Sequence, residues 1–379
     1  MKWNTRTATT EQRRPTMSKA VRVRDVVIGG GAPVRVQGMT KTDTRDVKST
    51  IDEIYRYKDV GCEIVRVAVP DMEAAQAVGA IVRQSPIPVV ADIHFDYRLA
   101  LEVIRQGVDK LRLNPGNIGS RERVEKVVQA AKEREIPIRI GVNSGSIEKS
   151  LLHDLGRTAE AMVTSAAKHI QILNDLDYDN IVVSLKASDV PTMVAAYRLM
   201  AKRYDYPLHL GVTEAGTAFQ GTIKSAVGIG ILLSEGIGDT IRISLSAPGE
   251  EEIRVAWEIL KSLKLRDRGA NLVACPTCGR LQFDMWPVTN ELERRLATIA
   301  EPLTVAVMGC AVNGPGEARE ADVGLAGGKK MGLIFRHGQI VRRVEEADMV
   351  EELWKEIQDA AEEVRARGKR AERDHSEIG

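Results

Sequence analysis

Eight short apolar runs, each followed by a stretch of helical texture, recur between residue 33 and residue 246, and this alternation constrains the fold more than any other feature. The runs are VRVQ (34–37), EIVRVAV (63–69), PVVADIH (88–94), KLRLN (110–114), PIRIGVN (137–143), NIVVSLKA (180–187), PLHLGVT (207–213) and TIRISLS (240–246). Between them, segments such as TIDEIYRYKDVG (50–61) and RERVEKVVQAAKERE (121–135) keep apolar residues at helical spacing. Eight strand–helix repeats predict a closed β/α barrel of the TIM class. A doubly wound open sheet is the alternative, but its glycine fingerprint is missing. IGGGAP (28–33) lacks the third glycine and runs into Pro33, so it reads as a hairpin turn before the first barrel strand.

Side chains on a strand alternate between faces. In seven of the runs one phase is Val, Ile or Leu and the other carries Arg66, Asp92 with His94, Arg112 with Asn114, Arg139 with Asn143, Lys186, His209, or Arg242 with Ser244 and Ser246. The apolar phase must meet the covering helices, so the polar phase faces into the barrel. That places five cations, and His209 if protonated, around one carboxylate, Asp92. Buried unpaired charge costs several kcal/mol per group. Internal pairing cannot satisfy the whole ring, and an inverted register would expose rows of aliphatics. The arrangement predicts a positive cavity for a compact polyanion. Arginine forks favour phosphate, which makes a diphosphate-bearing small molecule the expected substrate class, with an acidic sugar or polycarboxylate as the alternative. The strand-end loops NPGN (114–117), GVNSGS (141–146), GVTEAG (211–216) and SLSAPG (244–249) add amides and hydroxyls where barrel enzymes keep their sites. Glu214, in one of them, is placed either for proton transfer or to pair with a barrel arginine.

After LKLRDRG (263–269) the texture changes to a small α+β domain. We expect a basic disordered tail over 1–17, the barrel over 18–264, a linker over 265–270, the second domain over 271–370 and a frayed charged tail over 371–379. The second domain holds a helix at NELERRLATIA (290–300), strands at LTVAVMG (303–309), MGLIF (331–335) and QIVRRV (339–344), and a closing helix with Met349, Leu353, Ile357 and Val364 in phase. LAGGKKMG, near 325, reads as a turn. Three of the chain's four cysteines lie here, in CPTCGR (275–280) and GCAVNGPGEA (309–318); Cys62 reads as a buried small hydrophobe. Cys275, Cys278 and Cys310 need a fourth ligand. Structural zinc would want Cys or His, and His337 is the one histidine of this domain before the terminal His375. An iron–sulfur cluster could take an oxygen ligand, for which Asn313 and Glu317 are candidates. The cysteines alone fit either centre; beside a cationic pocket they favour the cluster.

Composition removes other classes. Net charge is +1 and aromatics are 4% of residues, which argues against nucleic acid. No apolar run reaches the length of a membrane span. Four cysteines in 379 residues suit a reducing cytoplasm, not a disulfide framework. A non-redox barrel aldolase or phosphatase with a zinc-stabilised appendix, using Lys186 for a Schiff base, is the rival enzyme reading.

CPTCGR and MGCAVNGPGEA, with VQGMTKTDT (36–44), ADIHFD (91–96), LRLNPGNIG (111–119), RIGVNSGS (139–146), SLKAS (184–188), LGVTEAG (210–216) and IRISLS (241–246), closely resemble the 4-hydroxy-3-methylbut-2-enyl diphosphate synthase family of the methylerythritol phosphate route. The resemblance runs from about residue 18 to 370. It implies a barrel that binds 2-C-methyl-D-erythritol 2,4-cyclodiphosphate and a 4Fe–4S cluster on Cys275, Cys278 and Cys310, with Glu317 as a displaceable fourth ligand. It also implies flavodoxin or ferredoxin as electron donor, and a homodimer in which the cluster domain of one chain caps the barrel of the other. On that reading Arg66, Arg112, Arg139 and Lys186 clamp the diphosphate, Asn143 and Ser246 assist, and Glu214 gives a proton to the departing hydroxyl.

Overall fold

The eight alternating runs do become the staves of a barrel. In the computed structural model, which describes residues 17–310 and 320–376, the chain divides into two units between Arg266 and Asp267. The first opens with an antiparallel hairpin of β1 (Val21–Val23) and β2 (Val26–Ile28). Eight parallel strands follow: β3 (Arg35–Met39), β4 (Ile64–Ala68), β5 (Val89–Asp92), β6 (Lys110–Arg112), β7 (Ile138–Asn143), β8 (Ile181–Lys186), β9 (His209–Leu210) and β10 (Thr240–Ile241). Their order is β8-β7-β6-β5-β4-β3-β10-β9, and a Val183–Leu208 bridge closes the ring.

Each barrel strand is followed by helix: α1 (Val47–Asp59), α2 (Met72–Gln84), α3 (Tyr97–Arg105), α4 (Arg121–Glu133), α5 (Lys149–Leu155) with α6 (Ala159–Asn174), α7 (Val190–Arg203), α8 (Ala218–Ser234) and α9 (Gly249–Ser262). Asp46, Asp71, Asp96 and Asp189 start α1, α2, α3 and α7 by accepting a first-turn backbone N–H, each cap contributing about 1 kcal/mol. The outward phase of the strands (Val65, Val67, Leu111, Ile140, Val183, Leu210, Ile241) meets the helices in one continuous apolar core.

The hairpin differs from expectation. Its turn lies at Arg24–Asp25, with Arg24 at φ 54°, while Gly29, Gly30 and Gly31, all at positive φ, form the link from β2 to β3. Gly29 has no alternative, because a Cβ there would lie 2.3 Å from the Lys19 carbonyl oxygen. Val21, Val23 and Ile28 pack on Ile64, Val90 and Val182, the lowest residues of the inward phase, so the hairpin plugs the amino-terminal end of the barrel.

The second unit is a five-stranded sheet in order β11 (Ala270–Ala274), β12 (Leu303–Met308), β13 (Val323–Gly328), β14 (Met331–Arg336), β15 (Gln339–Glu345). The first three strands are parallel and the last two antiparallel. Helices α10 (Met285–Leu296) and α11 (Met349–Ser376) bury Leu292, Met349, Leu353 and Ile357 against it. Two expectations are corrected: LAGG belongs to β13, with the turn confined to Lys329–Lys330, and α11 runs as helix to Ser376. ANLVA, at 270–274, is a strand to which the sequence pattern assigned no element. The tail before Met17 and the readings on Asn313 and Glu317 fall outside the described residues. Among the described residues no helix is long and apolar enough to cross a membrane.

Candidate active site

The inward phase of the barrel converges at the carboxyl ends of the strands on a cavity of about 150 Å³. It is lined by Arg66, Asp92, His94, Arg112, Arg139, Asn143, Lys186, Arg242 and Ser244, together with Ser184 and Thr213. Asp92 organises one side of it. Its carboxylate lies 3.3 Å from Arg112 Nη1, 3.4 Å from His94 Nε2 and 3.9 Å from Arg66 Nε. Arg112 Nη2 donates to the Gly141 carbonyl at 3.1 Å. Two inward positions have no side chain. A Cβ on Gly141 would sit 2.7 Å from Arg112 Nε, and one on Gly211 would sit 2.8 Å from Lys186 Nζ. These glycines leave the space that the cations occupy.

Five cations line the cavity with one carboxylate, and a second buried carboxylate outside the lining, Glu252, acts on Arg242 and Arg66. Burial lowers the pKa of Arg66 to about 9, with Asp92 opposing and Arg242 and Arg112 adding to the shift. Burial, then neighbouring cations, pushes Arg139 and Lys186 well below their ordinary values. Burial would raise Asp92, but Arg66, His94 and Arg112 more than offset it and hold the carboxyl well below its usual range. Two Arg139 nitrogens and Arg242 Nε have no hydrogen-bond partner. A site of this kind is short of negative charge and rich in free N–H donors, so a small polyanion completes it.

Four expected residues lie elsewhere. Asn114 spends its amide on Gly141, donating to the carbonyl at 2.9 Å and accepting from the N–H at 2.8 Å, and so ties β6 to β7. His209 is fully buried below the cavity, with Nδ1 2.7 Å from Thr240 Oγ1. Burial and then Arg139 and Lys186 drive its pKa far down, so it is neutral and adds no charge to the ring. Ser246 is exposed, and its N–H donates to the Gly216 carbonyl at 3.0 Å. Glu214 is exposed beside Thr213, with its backbone in the left-handed region at φ 52°. Local strain in a non-glycine residue at a strand end is typical of functional positions. Lys110 was missed. It is fully buried in the bore, and the run KLRLN reveals it, since residues 110, 112 and 114 share a phase.

In the second unit, Cys275 directly follows β11 and Cys310 lies two residues past β12, its parallel neighbour, so both thiols come to one edge of the sheet. The Gly309 N–H donates to Cys275 Sγ at 3.4 Å. A Cβ on Gly309 would lie 2.4 Å from Leu281 Cδ1 and 3.4 Å from Cys275 Sγ. Thr277, at φ 58°, turns the chain from Cys275 to the exposed Cys278. Among the described residues no three His, Cys, Asp or Glu side chains already form a metal-holding group. The donor set still discriminates between centres. His337 follows β14, which runs antiparallel to β13, and its N–H donates to the Asp322 carbonyl just before β13 begins. It therefore sits at the opposite sheet edge, about 20 Å from the thiols at strand rise, and cannot complete a Cys₃His zinc site. Three thiols with a backbone donor to sulfur fit an iron–sulfur centre.

Residues 18–257 match the GcpE TIM-barrel domain and residues 271–359 the GcpE protein C-terminal domain. The 4-hydroxy-3-methylbut-2-en-1-yl diphosphate synthase (flavodoxin) of Geobacter sulfurreducens is 64% identical over 90% of this chain and 97% of its own length. Proteins of the same name from Geobacillus thermodenitrificans and Symbiobacterium thermophilum are 58% and 56% identical, each over 94% of this chain and at least 95% of its own length. The chain belongs to the GcpE family.

Proposed function

We propose that this GcpE-family chain is an oxidoreductase that converts 2-C-methyl-D-erythritol 2,4-cyclodiphosphate to 4-hydroxy-3-methylbut-2-enyl diphosphate for isoprenoid precursor synthesis. The balance is one cyclodiphosphate dianion, two electrons and one proton, giving product trianion and water: the C2–O bond opens and the C3 hydroxyl departs. The observation that carries this reading is the cavity, with five cations and one carboxylate in a chain whose relatives are named for a diphosphate product.

Arg66, Arg112, Arg139, Lys186 and Arg242 bind the two phosphates, and Asn143, Ser184, Thr213 and Ser244 supply neutral hydrogen bonds around the ring. Asp92 holds Arg66 and Arg112 in place between turnovers. Glu214, at the mouth, delivers the proton that lets the hydroxyl leave as water. Cys275, Cys278 and Cys310, with Glu317 as fourth ligand, would hold a 4Fe–4S cluster. When bound, that cluster supplies the two electrons one at a time and a Lewis-acidic iron. Flavodoxin, the donor in the relatives' name, supports an equivalent carrier here, with ferredoxin as the other option. A homodimer fits α8, where Phe219, Ile223, Val227 and Ile231 form an exposed apolar stripe at four-residue spacing.

The test is anaerobic purification with iron, sulfide and zinc counted per chain, followed by turnover of the cyclodiphosphate with reduced flavodoxin. About four irons and four sulfides per chain with product formation are expected. One zinc, no sulfide and trapping of a carbonyl substrate on Lys186 by borohydride would move the chain to the aldolase reading.

A further inference from the structure

Below the substrate cavity the barrel bore continues down to the hairpin plug, and one amine there has nothing to balance it. Lys110 on β6 is fully buried, and its Nζ has no hydrogen-bond partner. Val90 of β5 lies beside it in register, and Arg112, two residues on, shares its phase. Arg139 of β7, Arg66 of β4 and His209 of β9 are the groups that face it electrostatically. Gln37 of β3, also buried in the bore, leaves both amide atoms unpartnered. Among the described residues no carboxylate belongs to this set; Asp92 is committed to Arg66, Arg112 and His94 above. The plug of Val21, Val23 and Ile28 on Ile64 and Val182 closes the bore underneath.

We propose that Lys110 is a positioning residue of the diphosphate site: an uncharged amine while the cavity is empty, it takes up one proton from solvent when the dianionic ring binds. The ammonium so formed presses the Arg139 guanidinium upward against the ligand by like-charge repulsion. The proton returns to solvent when product leaves, and no bond between Lys110 and the substrate is made. This rests on the function proposed above. Geometry favours the exchange: six cationic side chains share the bore with Asp92, and Glu252, the other buried carboxylate nearby, acts on Arg66 and Arg242 but not on Lys110. The arrival of two negative charges reverses the penalty on the unpartnered amine. Burial, then Arg139 and Arg66, pushes the amine in the same direction. Lys110 is outside the cavity lining, so its link to the ligand runs through Arg139.

The test titrates cyclodiphosphate into the anaerobic cluster-loaded enzyme at pH 8, calorimetrically, in buffers of different ionisation enthalpy. Both ring phosphates are diester-like and fully ionised there, and histidine and carboxylate titrations are ordinarily complete. The wild type should take up about one proton per site, with Kd weakening up to tenfold per pH unit as pH rises. Lys110→Met should bind with at least half of that uptake gone and a flatter pH profile; uptake equal to wild type overturns the proposal. Should Lys110→Met not fold, Lys110→Gln takes its place under the same criterion, because Lys186 is also pushed below its ordinary value and would give the wild type the same pH trend. In the wild type, uptake growing toward acid pH assigns the proton to a carboxylate or imidazole and overturns the proposal. Binding without proton uptake sinks this inference only, and no binding at all sinks the functional reading with it.

Discussion

Asp92→Asn removes the single carboxylate of the cavity lining and leaves the shape almost unchanged. At an effective dielectric of about 20, its gross attraction is about 5 kcal/mol to Arg112 at 3.3 Å and about 4 kcal/mol to Arg66 at 3.9 Å. Desolvation cancels part of this, and breaking a buried pair from one side costs roughly 3–5 kcal/mol net. The carboxyl sits well below its unfolded value, so its contribution is complete at neutral pH and is lost only as pH falls through that depressed value. In a barrel of about 250 residues the loss corresponds to a fall of about 6–20 °C in Tm at pH 7, read by thermal unfolding of the ligand-free protein. Saturating cyclodiphosphate should narrow the gap, because the ligand supplies the missing negative charge. A variant within 2 °C of wild type without ligand, on the order of 1 kcal/mol or less, would refute the idea that the cation ring depends on Asp92.

Three further outcomes follow from the same geometry. Gly211→Ala drives a Cβ to 2.7 Å from the Arg242 carbonyl and 2.8 Å from Lys186 Nζ. The substrate KM should rise at least tenfold, about 1.4 kcal/mol, with the iron–sulfur absorbance intact; loss of that absorbance would contradict the assignment to the barrel site. Lys186 and Lys110 carry folded-state pKa values below the unfolded ones, so the unfolded chain binds more protons across that window. Ligand-free stability should therefore rise from pH 7 to 9, by at most about 1.4 kcal/mol per unit for each group, and a decline over that range in denaturant titrations would exclude buried neutral lysines. Glu317→Ala should lower iron retained per chain after desalting, and unchanged iron and activity would remove Glu317 from the centre.

The barrel was legible because the phase of each strand is written in residue types. Val65, Val67 and Leu111 could only face helices, which left Arg66 and Arg112 for the bore, and both line the cavity. What the sequence hid depends on depth along the strand. Alternation places His209 and Lys186 on the same face, but it does not say that His209 lies at the buried level and Lys186 at the mouth; register and shear decide that. Asn114 was hidden for another reason, since its amide satisfies the Gly141 backbone instead of projecting into space. The hairpin was misplaced because three glycines in a row resemble a turn, whereas the real turn uses Arg24 and Asp25 and depends on burying Val21, Val23 and Ile28. In the second unit, ANLVA and LAGG lack strong alternation and become strands through their parallel neighbours.

A barrel whose bore is filled with guanidinium groups lacks the aliphatic layers that usually hold such a ring together. Cohesion must come from outside the ring, where Val67, Leu111, Ile140 and Leu210 pack fully buried against the helices, and from below, where the hairpin shields Ile64, Val90 and Val182 from water. Those two shells tolerate a bore with an excess of positive charge, but they do not remove its repulsion. The phosphorylated ring is then the component that the interior lacks. Its binding free energy is spread between contact with the ligand and relief of strain among Arg66, Arg139, Lys186 and Arg242, which is why substituting one of them should change stability and affinity in opposite directions: fewer cations give a more stable empty barrel and a weaker grip on the diphosphate.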